Sequence, residues 1–400
     1  MSLRVEVITT IEGLRALEPE WRELEARAGL ELPFQGAIWA RHWWTSFAEK
    51  RFGLRDSLQI RAVRDGTGGR LLAVAPMMLT DRPAIGPLRI RILQFFGADP
   101  NITELRGMLC EPAREAEVWA ALTADLRALS HAWDWIQWGS VLAGSEGEQA
   151  IARGAGIEWG PQVPNYVLRL APTWDEFKAG LSRNIKESLR KCYNAPKRDG
   201  HTFEFTVART PAEVAEALPD FLRLHALRSA QGNTVRHADV FASKPARAFL
   251  CAVGPELAAS GGIGVFCLRS AGKTIAARLG FFSASHLYLY YSGFEPEWGR
   301  YSVMTTTLAE TIKWAIGQKI PAINLSFGKD VSKLRWKPEE RTWLQAVEVS
   351  PTLRSRAVRV ASVLFQQALG GRWLNRSGPL PQSPESPAKP AEGDAGEAGA

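Results

Sequence analysis

The chain has 400 residues, enough for two or three domains with large cores, and 46% hydrophobic and 23% charged residues are typical of a soluble globular protein. The formal net charge of +7 at pH 7 favours anionic partners, such as a nucleotide cofactor, nucleic acid or a lipid surface, without choosing among them. No run of 18 apolar residues occurs, and the N-terminal sequence lacks a long apolar core, so neither a membrane span nor a signal peptide is expected.

The cysteines are scattered along the chain, at positions Cys110, Cys192, Cys251 and Cys267. They form no CxxC motif and have no metal-ligand spacing. We therefore expect free thiols in a reducing, cytoplasmic compartment, and no metal site.

The first half alternates predicted strands and helices. Residues 5–8 predict a strand, and helices follow around Trp21 and Trp43. Residues 58–63, 71–79 and 90–96 predict three strands, of which the first two are joined by a glycine-rich hairpin turn. Residues 102–110 are a further strand candidate. Residues 115–129 have helical spacing, residues 133–138 predict a short aromatic strand, and a boundary is expected near Pro161.

The second half follows the same plan. Strands are predicted at 166–170, 201–207, 265–268, 274–282, 287–291 and 320–327. Helices are predicted over 174–193 as one long element, from about 211 to 229, and over 303–316 with Ser302 as the N-cap. Three segment pairs align between the halves, namely GRLLAVAPMML with GKTIAARLGFF, ILQFFG with YLYYSGF, and DWIQWG with INLSFG. Because the offset is near 190 to 200 residues each time, the sequence predicts a tandem duplication of one α/β unit.

The C-terminal region changes character after Pro351. Residues 353–373 predict a helix that carries Arg354, Arg356, Arg359 and Arg372 and no acid. Such a helix either packs on the surface of the second half or lies on an anionic membrane. Residues 377–400 are rich in Pro, Gly, Ala and Glu, which predicts a disordered tail.

A second basic segment covers residues 178–198 and contains seven cations, Lys178, Arg183, Lys186, Arg190, Lys191, Lys197 and Arg198. It is either a solvated helix face or a surface for a polyanion, such as cofactor phosphates, tRNA or anionic lipid. No aromatic residues are interleaved with the cations in the manner of single-strand-binding proteins, so nucleic acid is the less favoured partner.

Residues 286–336 predict a strand, a tight polar loop, a helix, a second strand and a basic-aromatic tail. Pro296 and Gly299 end the first strand. A unit of this kind directs backbone N–H groups and the positive end of a helix toward one point, which favours binding of a pyrophosphate.

Three motifs carry a resemblance to a known family. They are Leu224-His225-Ala226-Leu227-Arg228, the loop Gly293-Phe294-Glu295-Pro296-Glu297-Trp298-Gly299-Arg300-Tyr301-Ser302, and the segment from Leu325 to Trp336 with Gly328, Lys333 and Arg335. They resemble the LHxxR, G-[FY]-[DE]-P-x-[WF]-x-x-[YF]-S and G-D-x-x-Y-K-x-R-[WF] elements of the double-domain branch of the GNAT acyltransferase superfamily. That branch contains the CelD-like (cellulose-biosynthesis-associated) acetyltransferases and is related to the FemABX aminoacyl transferases.

The resemblance implies a mixed α/β fold in which two GNAT units follow each other. Residues 1–162 would form a degenerate GNAT-like domain and residues 163–350 the acyltransferase domain. A basic amphipathic helix at 351–376 and the disordered tail would follow. The resemblance also implies acetyl-coenzyme A or another acyl-coenzyme A as co-substrate, without a metal. Cofactor binding is expected from the loop and the end of its strand, at Tyr291, Trp298, Gly299, Arg300, Tyr301 and Ser302.

The other site residues are expected around the same loop. Glu295 is a candidate base for the acceptor amine, and Asp330 and His225 are further catalytic candidates. Lys333, Arg335 and Arg228 are candidates for binding a carboxylate or phosphate on the acceptor. Each has a plainer alternative. Glu295 would be a solvated turn carboxylate, His225 a packed helix histidine, Lys333 and Arg335 a solvated basic turn, and the WGRYS loop a helix cap.

The sequence departs from the family pattern at several points. Lys329 stands where an acid is usual and Ser332 where tyrosine is usual. The loop lacks the Q/R-x-x-G-x-G/A signature of single-domain GNAT enzymes, and the first half has no comparable loop. One active site, in the second half, is therefore expected.

The leading hypothesis is an N-acyltransferase that acts on a small-molecule amine, such as an amino sugar or intermediate of surface polysaccharide biosynthesis. It would be cytoplasmic, with peripheral contact at the inner face of an anionic membrane as an option. Two alternatives stay open. A Fem-type enzyme would take its donor from charged tRNA, although no long heptad run is visible for the coiled-coil arm of that type. A non-catalytic double-GNAT protein would bind a partner in exopolysaccharide assembly.

Overall fold

The computed structural model describes residues 3–30, 32–66, 69–83, 86, 89–99, 101–231, 237–283 and 285–368. The predicted tail at 377–400, and residues 369–376 of the predicted C-terminal helix, lie outside the described residues. No helix in the described ranges is long and apolar enough to cross a membrane.

The first half contains ten short strands and four helices within these ranges. The strands are β1 (Leu3–Ile8), β2 (Lys50–Arg51), β3 (Leu54–Leu58), β4 (Ile60–Asp65), β5 (Leu71–Ala75), β6 (Met77–Arg82), β7 (Ile90–Phe95), β8 (Leu109–Cys110), β9 (Trp135–Leu142) and β10 (Ile157–Trp159). The helices are α1 (Ile11–Ala28), α2 (Ala37–Phe47), α3 (Glu115–Ala128) and α4 (Glu146–Ala152).

The second half has longer strands and a C-terminal helix. Its strands are β11 (Val163–Arg169), β12 (Phe203–Ala208), β13 (Ile263–Ser270), β14 (Lys273–Phe282), β15 (Leu287–Phe294), β16 (Ala322–Phe327) and β17 (Glu339–Val349). Its helices are α5 (Trp174–Ala179), α6 (Arg183–Arg198), α7 (Pro211–Ser229), α8 (Lys244–Ala259), α9 (Val303–Gly317), α10 (Val331–Leu334) and α11 (Leu353–Ala368). A 3-10 helix at Pro296–Tyr301 precedes α9.

One large sheet runs through both halves. In the described part of the chain it has thirteen strands, in the order β12-β13-β14-β15-β16-β11-β17-β9-β7-β6-β3-β2, with β10 paired to β17. Strand β17 joins the halves, because it pairs with β11 on one side and with β9 on the other. A smaller sheet, β1-β4-β5-β8, belongs to the first half.

The predicted duplication is confirmed by the path of the chain. In the first half, β6 pairs antiparallel with β7, α3 follows, and β9 returns parallel to β7. In the second half, β14 pairs antiparallel with β15, α9 follows, and β16 returns parallel to β15. The two units therefore repeat one strand–strand–helix–strand arrangement. The division at residue 162 stays a prediction, since the shared sheet gives it no natural break.

Several predicted elements differ in detail. The single strand predicted at 71–79 is two strands in different sheets, because Pro76 between β5 and β6 has no N–H for a ladder. The long helix predicted over 174–193 ends at Ala179 and restarts at Arg183. Of the strand proposed for 102–110, two residues form β8, and the remainder is a loop. Helix α8 and strand β17 had not been predicted.

The halves also share a core. Trp39 of α2 packs against Phe249 of α8 and Phe281 of β14, with ring centroids 4.9 and 5.7 Å apart. Trp21 and Trp43 of the first half belong to the same buried cluster. Aromatic packing of this kind fixes the position of the first half against the sheet of the second.

Helix α11 packs through polar contacts and exposes apolar side chains. Ser355 donates to Asp134, and Arg359 forms an ion pair with Glu158. Leu353, Val360 and Leu364 are exposed, a set that matches one helical stripe. Contact of this helix with an anionic membrane stays a prediction.

Helix α7 lies unusually close to β15. A Cβ atom added at Gly293 would lie 2.2 Å from the backbone nitrogen of His225. The helix backbone therefore rests directly on the strand at this point, and this contact positions the LHxxR motif beside Ser292.

We expect the substitution Gly293→Ala to lower the free energy of unfolding by about 2–3 kcal/mol, because helix and strand backbones must move apart to admit the methyl group. Gly317→Ala is the matched control, since nothing lies within 4 Å of its Cβ position. The control should leave stability unchanged or slightly raised. Urea denaturation measures both, and equal stability of the two variants would contradict the predicted contact.

Candidate active site

The parallel strands β15 and β16 separate after a short stretch of pairing. They pair at Leu287 with Ile323 and at Tyr288 with Asn324, and β15 then continues for six residues beside β14. The register of β14 and β15 shifts between Arg278 and Gly280, so β15 contains a bulge at this point. We call the opening between the two strands the β15–β16 gap.

The corresponding position in the first half is filled. Ser140, in the part of β9 beyond its pairing with β7, donates its N–H to the carbonyl oxygen of Arg106. A Cβ atom at Gly139 would lie 2.1 Å from that same oxygen. The chain before β8 thus lies against β9, and this supports one site, in the second half.

A cleft with a volume of about 260 Å³ opens at the N-terminus of α9. Gly299, Ser302, Val303, Met304 and Thr305 line one side. The lining also includes Ser332, Arg335 and Trp336, which follow β16, and two further arginines, Arg228 and Arg278.

The start of α9 is open toward this cleft. Ser302 precedes the helix with φ 54° and ψ 42°, a left-handed conformation, and its side chain does not cap the helix. The first N–H groups of a helix have no intrahelical acceptor and lie at the positive end of its dipole. Ser302 is therefore the N-cap residue as predicted. The Thr305 N–H donates to the Ser302 carbonyl oxygen at 2.8 Å, so the N–H groups of Val303 and Met304 are the donors that remain for an anionic ligand.

The predicted cofactor residues divide into two groups. Gly299 and Ser302 line the cleft, and Arg300 is exposed on the loop beside it. Trp298 and Tyr301 instead pack against His201, and the Tyr301 hydroxyl donates to Asp199 at 2.9 Å, so both support the loop.

Tyr291 lies apart from the cleft lining. Its hydroxyl donates to the carbonyl oxygen of Asn101 at 2.7 Å, and its ring contacts His225 and Phe241. It joins the second half to the first.

Glu295 lies outside the cleft lining as well. Its buried carboxylate accepts hydrogen bonds from Arg223 at 2.6 Å and from Lys273 at 3.0 Å. Burial alone would raise the pKa of Glu295, but these two cations outweigh burial and lower it. A carboxylate held in this way is a weak base, and its position favours a structural role over the predicted catalytic one.

His225 is buried between α7 and β15. Its Nδ1 lies 3.2 Å from the carbonyl oxygen of Ser292, and its Nε2 lies 3.7 Å from the Asp239 carboxylate. Burial is the largest effect and lowers the pKa of His225, so the ring is neutral at pH 7. It positions β15 and does not line the cleft.

The predicted acceptor-binding residues do come together. Arg228 donates to Ser292 Oγ at 2.5 Å, Arg335 lines the cleft, and Lys333 donates to the carbonyl oxygen of Phe327 at 2.5 Å. Asp330 caps α10 by accepting from the Ser332 N–H. Its negative charge also acts on Arg228 and Lys333, so it is a counter-charge to these two cations.

The sequence interpretation missed Glu104. Its carboxylate, 8% exposed, lies in the β15–β16 gap, where it accepts from Tyr288 Oη at 2.5 Å and from Ser326 Oγ at 3.0 Å. Burial raises the pKa of Glu104, against the opposing effects of the Tyr288 hydrogen bond and the Lys333 charge. Glu104 therefore bridges the two strands and is a stronger base than an exposed carboxylate.

The loop that carries Glu104 is built around Asp99. The Asp99 carboxylate accepts from the backbone N–H groups of Ile102 and Thr103, at 2.6 and 3.1 Å, and from the indole of Trp43 at 2.8 Å. An Asp followed by Pro and Asn is a turn signature that could have indicated this loop. The strand predicted at residues 102–110 does not account for this turn.

Comparison with known proteins agrees with this geometry. Residues 182–337 match the family model described as an acetyltransferase (GNAT) domain. FemX has 11% sequence identity and a TM-score of 0.54 over 86% of this chain and 97% of its own. The C-terminal domain (DUF2156) of a proposed lysylphosphatidylglycerol synthetase from Agrobacterium fabrum has 12% identity and a TM-score of 0.50 over 88% of this chain and 96% of its own.

No curated protein matches the chain. The structural likenesses establish a double-domain GNAT/FemX-like fold, and the domain match confirms the predicted resemblance to the GNAT superfamily for residues 182–337. Membership of the CelD-like branch stays a prediction.

The role of Glu295 can be tested by the substitution Glu295→Gln. Because the folded-state pKa is lowered, the ion pairs stabilise the protein above the unfolded-state pKa near 4.5, and that stability is lost as pH falls through the folded-state pKa. We expect the variant to lose about 1–2 kcal/mol at pH 7 and less at acid pH, measured by urea denaturation. A normal stability at pH 7 would contradict the structural role.

Proposed function

We propose that this chain, which has a GNAT domain at residues 182–337, is an acyltransferase that moves an acyl group from an acyl-coenzyme A thioester to an amine. One observation carries the proposal. Phe294 of β15 and residues that follow β16 line the cleft at the N-terminus of α9, and the buried carboxylate of Glu104, outside that lining, bridges the same two strands through Tyr288 and Ser326.

The reaction needs little covalent help from the protein. The neutral amine attacks the thioester carbonyl, a C–N bond forms and the C–S bond breaks. The amine gives up one proton to a base, and the leaving thiolate takes up a proton to become the coenzyme A thiol. Holding two reactants in line can supply about 7–11 kcal/mol of the barrier reduction in favourable cases. A rigid cleft between two strands suits this task.

Donor binding is assigned to the start of α9. The pyrophosphate would accept hydrogen bonds from the N–H groups of Val303 and Met304, and the exposed Arg300 would pair with a phosphate. The pantetheine arm would then extend along β15 into the gap. The bulge in β15 frees backbone groups there, and an N–H group of the bulge would polarise the thioester carbonyl.

Proton removal is assigned to Glu104. Its pKa is raised by burial, which makes its anion more basic, and Tyr288 and Ser326 hold its orientation. The earlier candidates fit less well, because Glu295 is tied to two cations and Asp330 to the α10 cap.

FemX-like aminoacyl transfer from charged tRNA is the second candidate, and the fold likeness to FemX favours it. The absence of a heptad run in the sequence speaks against the coiled-coil arm of that type. An amino-sugar acceptor in surface polysaccharide biosynthesis remains a part of the proposal that rests on the CelD resemblance, and a cytoplasmic location one that rests on the scattered cysteines.

Calorimetry with acetyl-coenzyme A tests the donor. Met304→Glu adds a carboxylate to the first turn of α9, where it favours the helix but repels a pyrophosphate. We expect the variant to bind coenzyme A about tenfold or more weakly with unchanged thermal stability, whereas Met304→Gln should bind normally. Failure of the unaltered protein to bind acetyl- or longer acyl-coenzyme A would exclude the donor assignment and leave charged tRNA or a non-catalytic protein.

Glu104→Gln should lower the rate of acyl transfer by about 10²–10⁴-fold with coenzyme A affinity unchanged, because the base is lost and the donor site is intact. In the unaltered protein, the rate should rise with pH through the raised pKa of Glu104. That limb of the pH–rate profile should be missing in the variant. Coenzyme A release measured with a thiol reagent, over a panel of amines, gives the rate. A variant with normal rate and normal pH profile would refute this role of Glu104.

A further inference from the structure

The cleft at the start of α9 contains more positive charge than its surroundings balance. Arg228, Arg278 and Arg335 line it, and the ammonium group of Lys333 lies beside it. We call these four residues the cation cluster. Among the described residues, Asp330 acts on Arg228, Arg278 and Lys333, and Glu104 acts on Lys333.

Arg278 is the least satisfied member. It lies on β14 opposite Ser292 of β15, and its Nε atom is buried without a hydrogen-bond partner in the described part of the chain. Burial lowers the pKa of Arg278 to about 10, repulsion from Arg228 acts in the same direction, and Asp330 opposes both.

The charges near Arg278 also shift the pKa of Lys333. Burial, with smaller effects of the charges of Arg278 and Arg228, lowers the pKa of Lys333 to about 8 against the opposing charges of Glu104 and Asp330. Four cations thus face two carboxylates, and burial also disfavours the charged form of Glu104. Positive charge therefore exceeds negative charge around Arg228, Arg278 and Lys333 in a partly desolvated space, which is costly unless a ligand supplies negative charge.

We infer that the cation cluster is a phosphoryl-binding subsite for the acceptor, so that the substrate is an amine that also carries a phosphate ester. The inference rests on the proposed acyltransferase function. It extends the predicted acceptor contacts of Lys333, Arg335 and Arg228 by adding Arg278 and by specifying the charge of the ligand.

The cluster lines the same cleft as the start of α9, and we assign its anion to the acceptor because the donor phosphates already have partners there. The coenzyme A measurements below distinguish the two molecules. The phosphates of coenzyme A are matched to the start of α9, and the pantetheine arm that would reach the gap is uncharged. The charge of Lys333 acts on Glu104, so the cluster is near the carboxylate that would take the proton of the acceptor amine. A phosphate dianion balances two positive charges, and guanidinium groups bind it with paired hydrogen bonds.

The test uses the full chain and inorganic phosphate as the probe. At constant ionic strength set with chloride, phosphate should raise the melting temperature of the unaltered protein and of the control Arg183→Met, which alters a fully exposed helix residue. Arg278→Met should be more stable than the unaltered protein without phosphate, because repulsion is relieved. Its phosphate affinity should fall about tenfold or more.

Coenzyme A binding separates the two possible sources of the anion. Arg278→Met should bind coenzyme A with normal affinity, whereas Arg300→Met should bind coenzyme A more weakly and phosphate normally. If Arg278→Met weakens coenzyme A binding as strongly as phosphate binding, the subsite belongs to the donor and the inference is overturned. If the unaltered protein binds phosphate but does not bind coenzyme A, the result contradicts the donor assignment alone.

Lys333 provides a second readout. Its labelling by an amine reagent should follow a pKa of about 8 in the free protein, and phosphate should slow labelling near that pH by favouring the ammonium form. Quantitative mass spectrometry of the Lys333 peptide measures this. Equal labelling rates with and without phosphate, or equal phosphate stabilisation of Arg278→Met and the unaltered protein, would refute the subsite.

Discussion

The separation of β15 from β16 is the constraint on which the rest of the site depends. Two parallel strands that stay paired leave no room for a ligand, and two that part expose backbone groups that need other partners. Here the opening is bridged by the side chain of Glu104 and bordered by the start of α9 and by α10. The position of each proposed group, from phosphate donors to base, follows from where the strands part.

The duplication gives the two halves different tasks. In the first half the chain at Arg106 lies against β9 and occupies the equivalent opening, so that unit offers no cleft. The same loop, fixed by Asp99, carries Glu104 into the gap of the second half. Loss of one cleft and completion of the other are thus two results of a single loop conformation. Aromatic packing of Trp39 on Phe281, together with the hydroxyl contacts of Tyr290 and Tyr291, holds the loop in place.

The sequence predicted those parts of the fold that are determined by local patterns of hydrophobic residues and by repeated motifs. Repeated motifs gave the duplication, and alternation and helical spacing gave β14, β15, α7 and α9. Helix α8 was within reach, since Phe249, Leu250, Val253 and Leu257 have helical spacing and are buried. Strand β17 and Glu104 were not, because both are defined by partners more than 150 residues away. The motifs located Arg228, Arg335 and Lys333 correctly near one cleft, but a motif does not show which way a carboxylate points. The motif therefore predicts a catalytic role for Glu295. In the structure its carboxylate points to Arg223 and Lys273.

The electrostatics of the cleft link stability to ligand binding. Arg278 and Lys333 lie on different elements, and each is disfavoured in its charged form by burial. Gly293 allows α7 to bring Arg228 into the same region, so close packing of the backbone adds to the repulsion between cations. A fold that retains such a cluster is less stable without ligand than one with apolar residues there, and an anion that binds restores the difference. Relief of the repulsion between these cations would therefore contribute to the binding free energy of an anionic acceptor. The acceptor would lie near Glu104, the carboxylate proposed to take up the proton of its amine.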